Sequence, residues 1–350
     1  MNVPKSLINL YLEHSGMYKI LVSLIPLLIS FFTTYYLVKK WIPVAKEFGL
    51  VGKDMHKLDK REVAESGGIW VIIGITFGLL FYVFLKKYIL NTETHLVEIL
   101  SIIIIALLSG LLGFIDDLLG WKKGLKPWQK PLFTLPIALP LVVIKAGYTK
   151  ITLPFIGTID LGLLYPLVLV PVGIMGAANG FNMIAGYNGL EALMGIVLFF
   201  FLFLKFYELK YYWLAYISLI IIFSLLAFFY FNKYPAKVFP GDSLTYSIGA
   251  LYASLVILGN IEKYGVLLFS LYFLELLLFI RGLLNGVYKE NFGKVQPDGS
   301  LIEPYDKIYS VTHLAIRILR KIKGKVYEWE VVYFIVGLQI LIGAVVYLLT

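Results

Sequence analysis

Residues 96–117 read LVEILSIIIIALLSGLLGFIDD, an apolar run with no charge between Glu98 and a terminal pair of acids, Asp116 and Asp117. About 20 apolar residues is the length a helix needs to cross roughly 30 Å of hydrocarbon. Two adjacent carboxylates at the end of such a helix repel each other and lose hydration unless a cation, a partner or water offsets the cost. The stretch therefore points to a membrane span and to its interfacial end as the place to look for chemistry.

The rest of the chain agrees with that class. Of 350 residues 59% are hydrophobic and 15% charged, and the mean hydropathy is +0.83. A water-soluble domain of this size cannot bury that much apolar surface. The net charge of +9 is dispersed over short loops instead of being gathered on one aromatic-laced module, which excludes nucleic acid as a partner. With no cysteine there is no disulfide, thiolate metal site or cysteine nucleophile. His14, His56, His95 and His313 have no zinc-ligand spacing. No cleavable leader is apparent before the first run.

Windows of about 20 residues place ten spans near 18–38, 67–89, 95–115, 128–147, 160–178, 190–206, 211–231, 243–260, 264–283 and 331–349. The predicted fold is an all-α integral membrane protein, one polytopic domain over 1–350. The fifth run holds Pro166, Pro171, Gly173 and Gly176 and is expected to bend or break. Odd-numbered loops carry about 22 of the 31 basic residues, so that side is cytoplasmic and both termini face away from it. The loop over 284–330 contains a Pro297-Asp298-Gly299 hairpin. Beyond it Ile308, Val311, Leu314, Ala315, Ile318, Leu319 and Ile322 recur at helical spacing, as in an interfacial amphipathic helix. Glu275, inside a span, is expected to be an interhelical hydrogen-bond partner.

Four polar or Gly-rich clusters fall at cytoplasmic ends: 52–68, 113–130, 179–191 and 239–245. Connecting loops near 148–159, 206–211 and 260–263 on the other side are short and plain, so one cytoplasmic cleft explains the asymmetry. Asp116 and Asp117 suit a magnesium-bound phosphate, or a solvated helix end meeting Lys122 and Lys123. Lys126 could hold a lipid phosphate or simply anchor at the interface. Three Asn and three Gly in 179–189 exceed what a turn needs and offer amide oxygens and free backbone N–H groups. Asp242 after Pro240-Gly241 is a helix cap or part of a pyrophosphate site. Glu65 precedes the Gly67-Gly68 entry to a span, where a ligand or another backbone can come close.

The set Gly113-Phe-Ile-Asp116-Asp117, Asn179-x-x-Asn182-x-x-Ala-Gly-x-Asn188-Gly-Leu-Glu191 and Phe239-x-Gly241-Asp242-Ser243 resembles the polyprenyl-phosphate N-acetylhexosamine-1-phosphate transferase family. Ala185, Asn188 and the Asp54-Met-His-Lys57 stretch look most like its dolichyl-phosphate N-acetylglucosamine branch. The resemblance implies that Asn182 and Asp242 hold Mg²⁺, with Mn²⁺ as the alternative ion. It implies donor contacts from Asn188, Gly186, Asn179, Glu191, Glu65 and Arg281. Asp116 and Asp117 would organise the acceptor phosphate, Asp116 taking a residual proton, with Lys126 as counter-charge. Where eukaryotic members carry Arg-His-Arg in the last loop, this chain offers Arg281 and Lys289.

The implied activity moves N-acetylglucosamine 1-phosphate, or a related HexNAc 1-phosphate, from a UDP-sugar to dolichyl or polyprenyl phosphate with release of UMP. It opens lipid-linked glycan assembly for N-glycosylation. The expected surroundings are membrane lipids in the cell membrane, or the endoplasmic reticulum in a eukaryote, with the site facing the cytoplasm and a homodimer left open. A one-step transfer and an aspartyl-phosphosugar route both remain open. The competing readings are a transporter of nucleotide-sugars or other anions, and a translocase with a peptide-bearing donor.

Overall fold

The apolar runs fold as helices in the computed structural model, which describes residues 16–119, 124–126, 128–153 and 157–350, with backbone alone for 16–22, 151–153 and 157–158. Lys122, Lys123 and His14 lie outside the described residues. The helices are α1 (Gly16–Glu47), α2 (Gly68–Tyr88), α3 (Leu96–Leu119), α4 (Gln129–Thr134), α5 (Leu139–Val143), α6 (Val170–Met183), α7 (Leu190–Glu208), α8 (Tyr212–Asn232), α9 (Gly241–Leu258), α10 (Glu262–Leu268), α11 (Ser270–Leu284), α12 (Val311–Lys323) and α13 (Glu328–Leu349).

Among the described residues seven helices are long and apolar enough to cross a membrane, or eight if α10 and α11, bent by 58°, form one broken span. The expected ten is too many. In the fourth run Pro131, Pro136 and Pro140 remove backbone donors, so α4, a 3₁₀ turn (Leu135–Ala138) and α5 cover 129–143 in short pieces. At 1.5 Å per residue they reach about 22 Å, short of the hydrocarbon thickness. Helix α1 is 32 residues long; the side chains of its first turns, 16–22, lie outside the described residues, so the first expected span, 18–38, is not among those counted. The bend expected in the fifth run is only a π turn over Tyr165–Leu169, and Tyr165–Met183 continues as one span. The true break falls at Phe269, between α10 and α11.

Helix α9 is the hub. It packs against α3, α6, α2 and α7, and 83% of its apolar window is buried inside the protein. Its small residues permit this: a methyl group on Gly249 would run into the Ala177 carbonyl of α6, so glycine lets the backbones meet. Ser109 of α3 donates to Ser247 of α9 at 3.1 Å, a polar tie of the kind that joins helices in lipid.

Among the described residues three antiparallel hairpins decorate the bundle. On the clefted end β1 (Val51–Lys53) pairs with β2 (Glu62–Ala64), and β5 (Lys294–Val295) with β6 (Leu301–Ile302); the latter is the hairpin expected around Pro-Asp-Gly, with Gly299 at φ +79°. At the other end β3 (Lys150–Leu153) pairs with β4 (Gly157–Asp160), structure that the sequence reading had passed over as plain loop. Helix α12 begins at Ser310, whose hydroxyl accepts the Thr312 N–H at 3.3 Å. Its face bearing Val311, Ala315 and Ile316 is buried against β6 and α13. The amphipathic helix thus turns that face onto the protein, while Ile322, 75% exposed, is free to meet lipid.

Candidate active site

The two acids of the opening stretch serve different neighbours. Asp117 Oδ1 accepts the Asp242 N–H at 2.7 Å and its Oδ2 the Ser243 N–H at 3.4 Å. These are the unsatisfied donors of the α9 N-terminus, so Asp117 caps a helix 125 residues further along the chain. Gly241, at φ +68°, sits where any side chain would strike the Asp117 carboxylate, and Gly113 where one would strike the Asp242 carbonyl. Glycine at both positions is what lets the ends of α3 and α9 touch.

Asp116 is buried. It accepts the Leu125 N–H and the Tyr246 hydroxyl, the latter at 3.3 Å, and lies 3.1 Å from Lys130 Nζ. The same ammonium lies 2.6 Å from Asp242 Oδ2 and 5.5 Å from the Tyr246 ring centroid. Lys130, in the first turn of α4, is thus clamped between two carboxylates.

Beside this cluster opens a cavity of about 450 Å³. Residues 51–55, the Asn-Gly loop, the start of α9 and Phe292 line it. On its wall Thr245 Oγ1 donates to Asn182 Oδ1 at 3.1 Å. Two carboxylate oxygens there, Glu65 Oε2 and Glu191 Oε2, are sealed from water without a hydrogen-bond partner. Glu191 uses its other oxygen to accept the Gly186 N–H at 2.7 Å, which pins the loop at the glycine with φ +107°. Burial, and then the negative charges of Asp117, Asp242 and Glu191, push the Glu65 carboxyl well above the ordinary carboxylate range. Acids converging on one cavity, with orphaned oxygens among them, are groups that could accept a cation or the polar groups of a ligand.

Residues 99–260 match glycosyl transferase family 4. A protein of Saccharolobus solfataricus named "Putative UDP-N-acetylglucosamine–dolichyl-phosphate N-acetylglucosaminephosphotransferase" is 34% identical over 95% of this chain and 98% of its own length. The chain belongs to this family. A protein of Sulfolobus acidocaldarius with the same name is 34% identical over 92% of this chain and 95% of its own length. The phospho-N-acetylmuramoyl-pentapeptide-transferase of Streptococcus thermophilus is 30% identical over 70% of this chain and 72% of its own length.

The geometry sorts the site residues expected of this glycosyl transferase family 4 member. Asp116, Asp117 and Asp242 form one cluster, and Asn182, Gly186, Asn188, Glu191 and Glu65 line the adjoining cavity. Asn179 stands one turn before Asn182 and donates to Thr134 Oγ1 and the Met175 carbonyl, both at 2.8 Å. Lys126 is exposed; its backbone N–H donates to Gln129 Oε1 at 2.8 Å and its carbonyl accepts the Gln129 and Lys130 N–H groups at 2.8 and 3.2 Å, whereas the Lys130 side chain occupies the position between the carboxylates. Arg281 is exposed at the end of α11 and is not among the cavity-lining residues. Lys289 is buried and bonded to Glu275 and Asn291. Glu275 also accepts the Ser310 hydroxyl at 3.1 Å and the Val311 N–H at 2.7 Å, a fuller form of the interhelical partnership expected of it. Sequence reasoning passed over Lys130, although Pro131 beside it marks a helix start. It also passed over Glu328, which no local signal connects to the site.

Proposed function

We propose that this protein transfers an N-acetylhexosamine 1-phosphate, with UDP-N-acetylglucosamine the leading donor, to dolichyl or another polyprenyl phosphate. An acceptor phosphate oxygen attacks the β-phosphorus of the donor, the bond from that phosphorus to the UMP oxygen breaks, and UMP leaves with the electron pair. The product is a lipid-linked pyrophosphoryl sugar, the opening unit of glycan assembly for N-glycosylation. The names of the two archaeal relatives support the donor and acceptor. The carrying observation in the fold is Lys130, held between Asp116 and Asp242 beside the cavity.

Bringing two phosphate anions together needs positive charge in a preorganised setting. Lys130 supplies one such charge, and its two carboxylate partners keep it protonated and aimed. Asp116 has its oxygens taken up by Lys130, Tyr246 and the Leu125 N–H, which favours holding Lys130 over the proton-accepting role expected from the sequence. Asp117 fixes the α9 N-terminus and so the position of Asp242. The hard-oxygen donors Asn182 and Asp242, with the orphaned oxygens of Glu65 and Glu191 on the same cavity, suit Mg²⁺ or Mn²⁺. Asn182 and Asp242 would hold the ion, which when bound supplies the charge that lets an anionic pyrophosphate enter an acidic cavity. The side of the membrane carrying the basic loops, the cytoplasmic one, is where this cavity opens in our reading.

A transporter gains no support from Glu275, whose partners Lys289, Ser310 and Val311 already account for its burial. The test is radiolabelled UDP-N-acetylglucosamine with polyprenyl phosphate and Mg²⁺ in detergent. Lipid-linked radioactivity that disappears in Asp242→Ala supports the transferase. Counterflow of donor across vesicles without lipid-linked product overturns it.

A further inference from the structure

Behind the cavity lies a buried polar knot. Glu328, the first residue of α13, accepts the Asn188 backbone N–H on Oε1 at 2.8 Å, and its Oε2 lies 3.5 Å from the Asn188 side-chain nitrogen. That nitrogen donates to Asp54 Oδ2 at 3.0 Å. Lys57 offsets one of the two negative charges, 2.6 Å from Glu328 and 3.5 Å from Asp54. His56 Nδ1 is 3.4 Å from Glu328, and its Nε2 accepts the Gly293 N–H at 3.2 Å. Asp54, His56 and Glu328 stand close enough together to hold a metal ion. The Lys57 ammonium already occupies the space between the two carboxylates, so a second cation there would meet repulsion.

The chemistry of the knot fixes a direction. A carboxylate only accepts hydrogen bonds, whereas a carboxamide has one end that donates and one that accepts. Two carboxylates on one side of Asn188 therefore oblige it to turn its NH₂ toward them, leaving its oxygen for the cavity that Asn188 lines. We propose that Glu328, together with Asp54, is a positioning residue that orients the Asn188 amide so that the cavity presents an acceptor to an N–H or O–H of the nucleotide-sugar. Glu328 itself is not among the cavity-lining residues and acts through Asn188. This inference rests on the transferase reading above.

The experiment uses the full-length protein in detergent and compares Glu328→Gln with Glu328→Asp. Glutamine keeps the shape but can donate, so it sets a second NH₂ against the Asn188 amide and leaves Asp54 alone to hold its direction. Aspartate is shorter but still only accepts. With wild-type transfer first established, Glu328→Gln is expected to raise KM for the donor about tenfold with kcat within about twofold and KM for polyprenyl phosphate unchanged. Glu328→Asp should stay within about threefold of wild type on all three. If packing alone mattered, aspartate would be the worse replacement, and that order overturns the proposal. Equal KM values for wild type and Glu328→Gln overturn it too, while leaving the transferase reading intact. Failure of wild type to transfer overturns the transferase reading instead. Should Glu328→Gln not fold, Asp54→Asn makes the same change at the other acceptor, and an unchanged donor KM there overturns the proposal.

Discussion

At the scale of single residues, the central distinction is between two lysines four positions apart. Lys130 touches both Asp116 and Asp242, while Lys126 is exposed and far less constrained. Lys130→Met should cut kcat for transfer by about 100-fold or more, the loss seen when one preorganised charge-stabilising group is removed; Lys126→Met should stay within about threefold in the same radiolabel assay. Equal losses would assign the counter-charge to Lys126, as the sequence suggested. The acids and amides of the cavity were legible because a polar residue at the end of an apolar run stands out against its neighbours. Lys130 was not, because the cytoplasmic loops are crowded with lysines that bilayer orientation alone explains. Glu328 was not either, since nothing at residue 328 announces a partner 140 positions earlier.

At the scale of elements, the contact of α3 with α9 is set by Gly113. Gly113→Ala should destabilise the fold by about 1–3 kcal/mol, the usual cost of forcing atoms into a packed interface, and should reduce transfer because the carboxylate cluster spans that contact. Melting followed by intrinsic fluorescence in detergent measures the first effect, and an unchanged midpoint would mean the helices can separate freely. Helix α12 carries a different handle, His313, which burial and then the Lys289 charge pull down to about 4. The unfolded chain binds this proton near 6.5, above the folded value, so protonation favours unfolding and stability falls as pH drops from about 6.5 toward 4. The melting midpoint should fall between pH 7 and pH 5, and His313→Gln should flatten that fall; parallel profiles would refute it. The elements also show where periodicity misleads. Pro166 and Pro171 read as a break, but Pro166 sits in a π turn and Pro171 in the first turn of α6, where the span continues, whereas the bend at Phe269 has no proline to announce it.

For the whole molecule, the polar ends of helices distant in sequence converge at one end of the bundle, and the absence of cysteine makes its orientation easy to measure. Single cysteines at Lys294 and Lys126 should react with an impermeant maleimide from the cytoplasmic side only, and one at Lys210 from the opposite side only. Labelling of Lys294→Cys and Lys210→Cys from the same side would remove the basis for the orientation. The helical, membrane-spanning class was legible from hydropathy alone, while the span count was not, because the prolines of 129–143 cut an apolar run into pieces too short to cross. The cap that Asp117 places on α9 bears also on how the protein is made. At 5–20 residues per second, roughly 6–25 s separate the synthesis of Asp117 from that of the backbone it caps, 125 residues later. During that interval Asp117 waits at the membrane surface without the donors it will cap, so a ribosome pausing between those points would leave an insertion intermediate open to quality-control proteases.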